Sequence, residues 1–199
     1  MTSSSIVSPT AQVGATTDTN RKADFASVFA TEAAFRDWYD AAAPRVYAYL
    51  HGRCGGDSAL AEELTQQTFV SAIRGRGGYD GRSDPMTWMI TIARSRLVDH
   101  YRRLARDERR HLRVIVGEIS RSAGAPDAPW QEADTRELVL AALRGLPAEQ
   151  RVALVLHHVD GLSVREVADQ LDRSESAVES LLARARRRFR QLYEGAADA

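Results

Sequence analysis

Ser163 to Arg188 holds the residues whose spacing points most clearly to chemistry: a short helical pattern, a tight polar turn at Asp172-Arg173, then a longer helical pattern. A helix-turn-helix of this kind lays its second helix in the DNA major groove, with side chains near its N-terminus reaching base edges. Ser176, Ser180, Arg184 and Arg187 fall on the face away from the apolar stripe, and Arg186, Arg188 and Arg190 can hold phosphates on either side. Each phosphate neutralised makes binding more sensitive to salt. The competing reading is an ordinary helical hairpin with a solvated basic end.

A second basic segment, Arg94 to Arg113, stands beside Tyr79, Trp88, His100 and Tyr101. Arginines neutralise a backbone while exposed rings stack unpaired bases, which is the chemistry that single-stranded DNA requires. A base drawn out of a duplex also needs a pocket to receive it. Tyr101 lies on an apolar stripe and reads as core, whereas Trp88, beside a loop and off the stripe, fits either role.

Enzymatic chemistry finds less support. His51, His100, His111, His157 and His158 offer bases or ligands, yet there is no H-E-x-x-H, no Gly-rich phosphate loop and no nucleophile elbow. The adjacent His157 and His158 point about 100° apart on a helix and cannot chelate one metal as an i, i+4 pair would. No catalytic residue, metal site or cofactor is expected.

The chain has 199 residues, enough for one sizeable domain or two small ones. Its 27 basic and 27 acidic side chains balance, which at first argues against a nucleic-acid partner. By segment the balance dissolves. Residues 1–93 carry a net −2, 94–113 a net +5, 114–183 a net −6 and 184–199 a net +3. All the basic residues but Lys22 are arginine, which suits bidentate phosphate and guanine contacts but is also what a GC-rich genome produces. A single cysteine, Cys54, excludes an internal disulfide framework. No apolar run is longer than Leu138 to Leu143, too short to span a bilayer, and the first residues carry no secretory signal.

The elements that must position these residues are helices throughout. Residues 1–24 read as a disordered tail, and from Phe25 the chain turns helical. Ala61, Leu64, Thr65, Thr68, Phe69, Ala72 and Ile73 make one buried helix face, opposite Glu62, Glu63, Gln66, Gln67 and Arg74. After a loop from Gly75 to Asp84, Pro85 starts a helix whose buried stripe is Met86, Ile90, Ala93, Leu97, Tyr101 and Leu104. Ser120 to Pro129 read as a flexible linker between two small helical domains. Beyond it the spacing predicts a helix from Glu132 to about Arg144, then another from Pro147 that buries Val152, Leu156 and Val159 and ends at Gly161. Ser163-Val164-Arg165-Glu166 is a capping box opening a helix that buries Val164, Val167, Ala168 and Leu171. The last helix buries Val178, Leu181, Ala185, Phe189 and Leu192. The fold class is all-α.

Both halves resemble the extracytoplasmic-function (ECF) sigma factors of bacterial RNA polymerase. Glu63-Leu64-Thr65-Gln66-Gln67-Thr68-Phe69 and Trp88-Met89-Ile90-Thr91-Ile92-Ala93-Arg94-Ser95 are similar to motifs of region two. Leu146-Pro147-Ala148-Glu149-Gln150-Arg151, Gly161-Leu162-Ser163 and Ala177 to Arg186 are similar to region four. The resemblance runs from about Phe35 to Leu192. It implies a region-two domain over 25–113, a linker over 114–132, a region-four domain over 133–194 and a tail over 195–199.

It also implies roles. Glu62, Glu63, Gln66, Gln67, Ser71 and Arg74 would dock on core polymerase. Tyr79, Arg82, Trp88, Thr91, Arg94, Ser95, Asp99, His100, Arg102 and Arg103 would recognise and melt the minus-ten element. Ser174, Ser176, Glu179, Ser180, Arg184, Arg187 and Arg188 would read the minus-thirty-five element as duplex. Such a protein makes no bond itself and works in the cytoplasm, and many relatives are held by an anti-sigma factor. Ser95 departs from the family's usual Asn, Gln67 from Glu, and Glu179 and Leu181 from Lys or Arg. Glu175 and Glu179 either accept bonds from cytosine amino groups or serve the positive end of their helix. A stand-alone helix-turn-helix regulator is the alternative, and it leaves the first half unexplained.

Overall fold

Thr31 opens the first long helix, α1 (Glu32–Arg53), by accepting a bond from the Ala34 amide at 3.1 Å. The computed structural model describes residues 25–114 and 132–197, so the expected tail and nearly all of the expected linker lie outside the described residues. Asp57 caps α2 (Ser58–Gly75) through the Leu60 amide, and a single 3₁₀ turn (Arg76–Gly78) leads into the loop before α3 (Pro85–Val114). Pro85 takes the first helical position, as its missing N–H and preset φ favour. These three helices pack on one another through Val46 and Leu50 of α1, Leu64 and Phe69 of α2, and Met89, Ala93 and Leu97 of α3.

The second half begins with α4 (Glu132–Arg144) and α5 (Ala148–Leu154). A π turn over Val155–Val159 follows, then α6 (Val164–Leu171) and α7 (Glu175–Ala197). The capping box is formed in full: Glu166 N–H donates to Ser163 Oγ at 3.2 Å, and Ser163 N–H donates to Glu166 Oε2 at 2.8 Å. Asp172 closes α6 in the left-handed region at φ 54°, which lets the chain turn sharply into α7. Helices α4, α5 and α6 all pack against α7.

Several expected core positions shift, Ile73, Val164, Phe189 and Leu192 among them being only half-buried. Val159 is 56% exposed, because the π turn inserts extra backbone and carries Val155 inward in its place. Leu104 is 36% exposed and Met86 and Ile90 are half-buried, while Met89, Val98 and Ala105 are buried. The buried side of α3 is wider than one stripe because α3 meets helices from both halves. Both packing sets belong to one apolar cluster, which runs from Ala42 through Tyr101 and Ala105 to Leu146, Ala148, Val152 and Ala185. Gly55, at φ +71°, sits so close to α4 that a Cβ there would lie 3.0 Å from the Leu140 carbonyl oxygen.

Candidate functional site

Three polar faces carry the residues singled out above. On α2, Glu62, Glu63, Gln66 and Arg74 are exposed, and Gln67 and Ser71 are half-buried. Gln67 donates to Glu63 at 2.8 Å, and Ser71 Oγ donates to the Gln67 carbonyl at 2.7 Å, so part of this face is already organised. Among these polar groups stands Val70, 45% exposed. Sequence reading missed it, although its spacing of four from Gln66 puts it on the polar row.

The loop and α3 form the second face. Tyr79, expected to stack on DNA, is instead 1% exposed. Its hydroxyl donates to the Ser83 carbonyl at 2.6 Å, and its ring meets Phe25 and Trp88 edge-on or tilted. Tyr79 therefore shapes the loop from inside. Trp88 is half-buried against Phe25, with ring centroids 5.4 Å apart, which leaves only part of its ring to solvent. Thr91, Ser95, Asp99 and Arg103 share one exposed row at i, i+4 spacing, and Arg82 is exposed on the loop beside Asp80. His100 is half-buried; burial and then the Arg103 cation lower its pKa, so the ring is mostly neutral at pH 7. It can donate or accept a hydrogen bond but is not a phosphate clamp.

Arg94 turns away from that row, and its Nε donates to Asp160 Oδ2 at 3.2 Å. Arg102 lines a cavity of about 320 Å³ between the halves, with Arg106, Arg109, Glu149 and Arg173. Glu149 accepts from both Arg109, at 2.6 Å, and Arg173. Burial raises its pKa, but the two guanidinium bonds outweigh that and leave it below the usual carboxylate range.

The third face belongs to α7. Ser174, Ser176, Glu179, Ser180, Arg184, Arg187 and Arg188 are all exposed. Ser174 Oγ accepts from the Ala177 amide at 3.3 Å, so Ser174 caps α7. Glu175 and Glu179 lie in the first turns, where negative charge suits the helix dipole. Ser176, Ser180, Arg184 and Arg188 repeat every four residues, giving a row that starts polar and becomes cationic.

Other chemistry-bearing groups are occupied elsewhere. Burial pushes the Cys54 thiol up to about 12, so it is no thiolate at neutral pH. His51 stacks on Tyr47, and His157 Nδ1 bonds the Leu162 carbonyl at 2.7 Å. Among the described residues no three His, Cys, Asp or Glu side chains gather as metal ligands, and no helix is long and apolar enough to cross a membrane.

The residues of all three faces lie within the spans that family models match. The family model for sigma-70 region 2 matches residues 38–107, and that for sigma-70 region 4 matches 136–189. The chain is similar to the ECF RNA polymerase sigma factor BldN of Streptomyces coelicolor, 35% identical over 164 residues. That match covers 80% of this chain and 60% of the relative's length. It is likewise similar to the RNA polymerase sigma factor CarQ of Myxococcus xanthus, 37% identical over 138 residues, covering 67% of this chain and 74% of CarQ. Among solved structures, the sigma factor RpoE of Bartonella quintana, in complex with the anti-sigma factor NepR, aligns with a TM-score of 0.48 at 23% identity. That alignment covers 80% of this chain and 96% of RpoE.

Proposed function

The chain belongs to the ECF RNA polymerase sigma factors, and from that premise we propose that it binds core polymerase and directs initiation at specific promoters. The observation that carries this reading is the presence of both family regions in one chain, in order, each with an exposed polar row suited to its partner. A division into a region-two domain over 25–113 and a region-four domain over 133–194, joined by 114–132, fits that order.

The α2 face, with Glu62, Glu63, Gln66, Gln67, Ser71 and Arg74 around Val70, docks on polymerase, the valine supplying a small apolar anchor inside a polar rim. Thr91, Ser95, Asp99 and Arg103, with Arg82, Arg102 and the free edge of Trp88, meet the minus-ten element as it opens. Tyr79 holds the base-capture loop in shape, and His100 contributes as a neutral ring. The α7 row reads duplex at the minus-thirty-five element, with Ser176, Glu179 and Ser180 nearest the bases and Arg184, Arg187 and Arg188 toward phosphates. Bond making belongs to the polymerase, and the chain works where that enzyme does, in the cytoplasm. An anti-sigma factor is a further partner that membership of the family implies.

The test is transcription in vitro. Purified full-length chain with core polymerase initiates from a specific promoter, and omission of either component abolishes the transcript. Tight footprinting of duplex DNA without polymerase would instead favour a stand-alone regulator.

A further inference from the structure

The aromatic rings of the loop and of α3 rest on a phenylalanine that comes from ahead of α1. Phe25 is 3% exposed. Its ring meets Tyr79 with centroids 4.8 Å apart and Trp88 at 5.4 Å, both edge-on. It also meets Phe29 at 5.3 Å and Trp38 of α1 at 5.6 Å, again edge-on. Trp38 in turn packs on Phe69 of α2, and Phe29 lies under the Arg76 guanidinium, 5.6 Å from its ring centroid. Edge-to-face contact fixes the orientation of a ring as well as its distance, because the positive edge of one points at the negative face of the other. One apolar side chain thus joins α1, the loop after α2 and the first turn of α3.

The hydrogen bonds of the loop are local. Tyr79 Oη donates to the Ser83 carbonyl at 2.6 Å, the Arg82 amide to Asp80 at 3.0 Å, and the Met86 amide to Asp84 at 2.8 Å. Such bonds shape the loop without tying it to α1 or α2, whereas the Phe25 ring does tie it. Trp88 is half-buried, so part of its ring is held by Phe25 and Tyr79 while another part is open to solvent. A ring that stacks on an unpaired base binds better when it is already fixed, since ordering it at the moment of capture costs affinity. The sigma-70 region 2 match begins at residue 38, so the bracing ring is supplied from outside that span.

We propose that Phe25 is a positioning residue for promoter melting: its ring braces Tyr79 and Trp88 and so holds the 79–84 loop ready to take up a base drawn out of the minus-ten duplex. Phe25 itself touches no DNA. The proposal rests on the base-capture reading of this loop for its consequence, but the brace does not depend on that reading.

Phe25→Leu and Phe25→Ala in the full-length chain test it, leucine keeping much of the apolar volume so that a fold defect in the alanine variant does not decide the matter. Hydrogen exchange read by mass spectrometry reports the brace. Exchange over residues 76–88 rises about threefold to tenfold in Phe25→Leu, while that of α5 to α7 stays as in the parent. Transcription with core polymerase is then compared on a duplex promoter and on the same promoter with its minus-ten element already unpaired by mismatches. Unpairing in advance removes much of the cost that base capture must offset. Initiation by Phe25→Leu falls about tenfold on the duplex and less than about twofold on the opened template, and Phe25→Ala shows the same split, larger. Unchanged exchange overturns the brace. An equal loss on both templates makes Phe25 a core residue only, and no loss on either removes its role in melting. If the parent chain gives no transcript on either template although exchange responds, the sigma-factor reading fails and the brace stands.

Discussion

Arg184 and Arg187 sit on the exposed side of α7, and no carboxylate pairs with either among the described residues. Replacing one with alanine leaves thermal stability within about 0.5 kcal/mol, as for surface positions without a structural partner. Promoter affinity of the polymerase complex falls, and for a phosphate contact the slope of log K against log salt becomes shallower by about 0.9. Fluorescence anisotropy over a salt series measures both effects; a large loss of stability would make the arginines structural. Glu149 makes the opposite prediction, one of stability. Its folded-state pKa is depressed by Arg173 and Arg109 despite burial, so its contribution is present above the ordinary carboxylate pKa and is lost as pH falls through the folded value. Glu149→Gln is therefore less stable by about 0.5–1 kcal/mol at pH 7, discounted for partial exposure, with the gap closing in acid. Urea melts at pH 7 and pH 3 check it. The α7 row was legible because exposed positions on a regular helix follow from spacing alone. Tyr79 was not, since its neighbours in a Gly- and Arg-rich loop suggest solvent, while in the fold the rings of Phe25 and Trp88 pack against it.

The capped α6 is the element that sets the angle of α7. Ser163 and Glu166 satisfy each other's backbone donors, and Ser163→Ala removes one half of that exchange. The expected cost is about 1 kcal/mol, read as a shift in the denaturation midpoint without a change in its slope. An unchanged midpoint would mean that packing of Val167, Ala168 and Leu171 alone holds α6 in place. The capping box, Pro85 and the 132–144 helix could be read from sequence because they are local, each set within a turn or a few turns of chain. The π turn could not. Its sequence, Val155 to Val159, carries a helical pattern like any other, and the wide turn leads into Asp160, whose partners Arg53 and Arg94 lie far off in sequence. Its outward rotation of Val159 follows from the same extra backbone.

At the scale of the molecule, one apolar cluster runs through both halves. Differential scanning calorimetry of the parent chain should show a single transition, with calorimetric and van't Hoff enthalpies equal. Two resolved transitions would mean that α1–α3 and α4–α7 melt independently. The charge pattern acquires a use at this scale. The acidic segment that offsets the arginines includes Glu149 and Asp160, which pair with Arg109, Arg53 and Arg94 of the first half. Part of the acidic excess of one half thus lies against cations of the other.

The sequence by itself determined the helical class, the starts of α3 to α6, the helix-turn-helix and the exposed rows of α2 and α7. These depend on i, i+4 spacing and on caps formed within a few residues. Tertiary structure alone decided that Tyr79 is buried, that Val159 faces solvent and that Asp160 meets Tyr49, Arg53 and Arg94. The three side-chain bonds to Asp160 join residues 111, 107 and 66 positions apart. No local period encodes such partners, because their meeting depends on how two separately patterned halves pack.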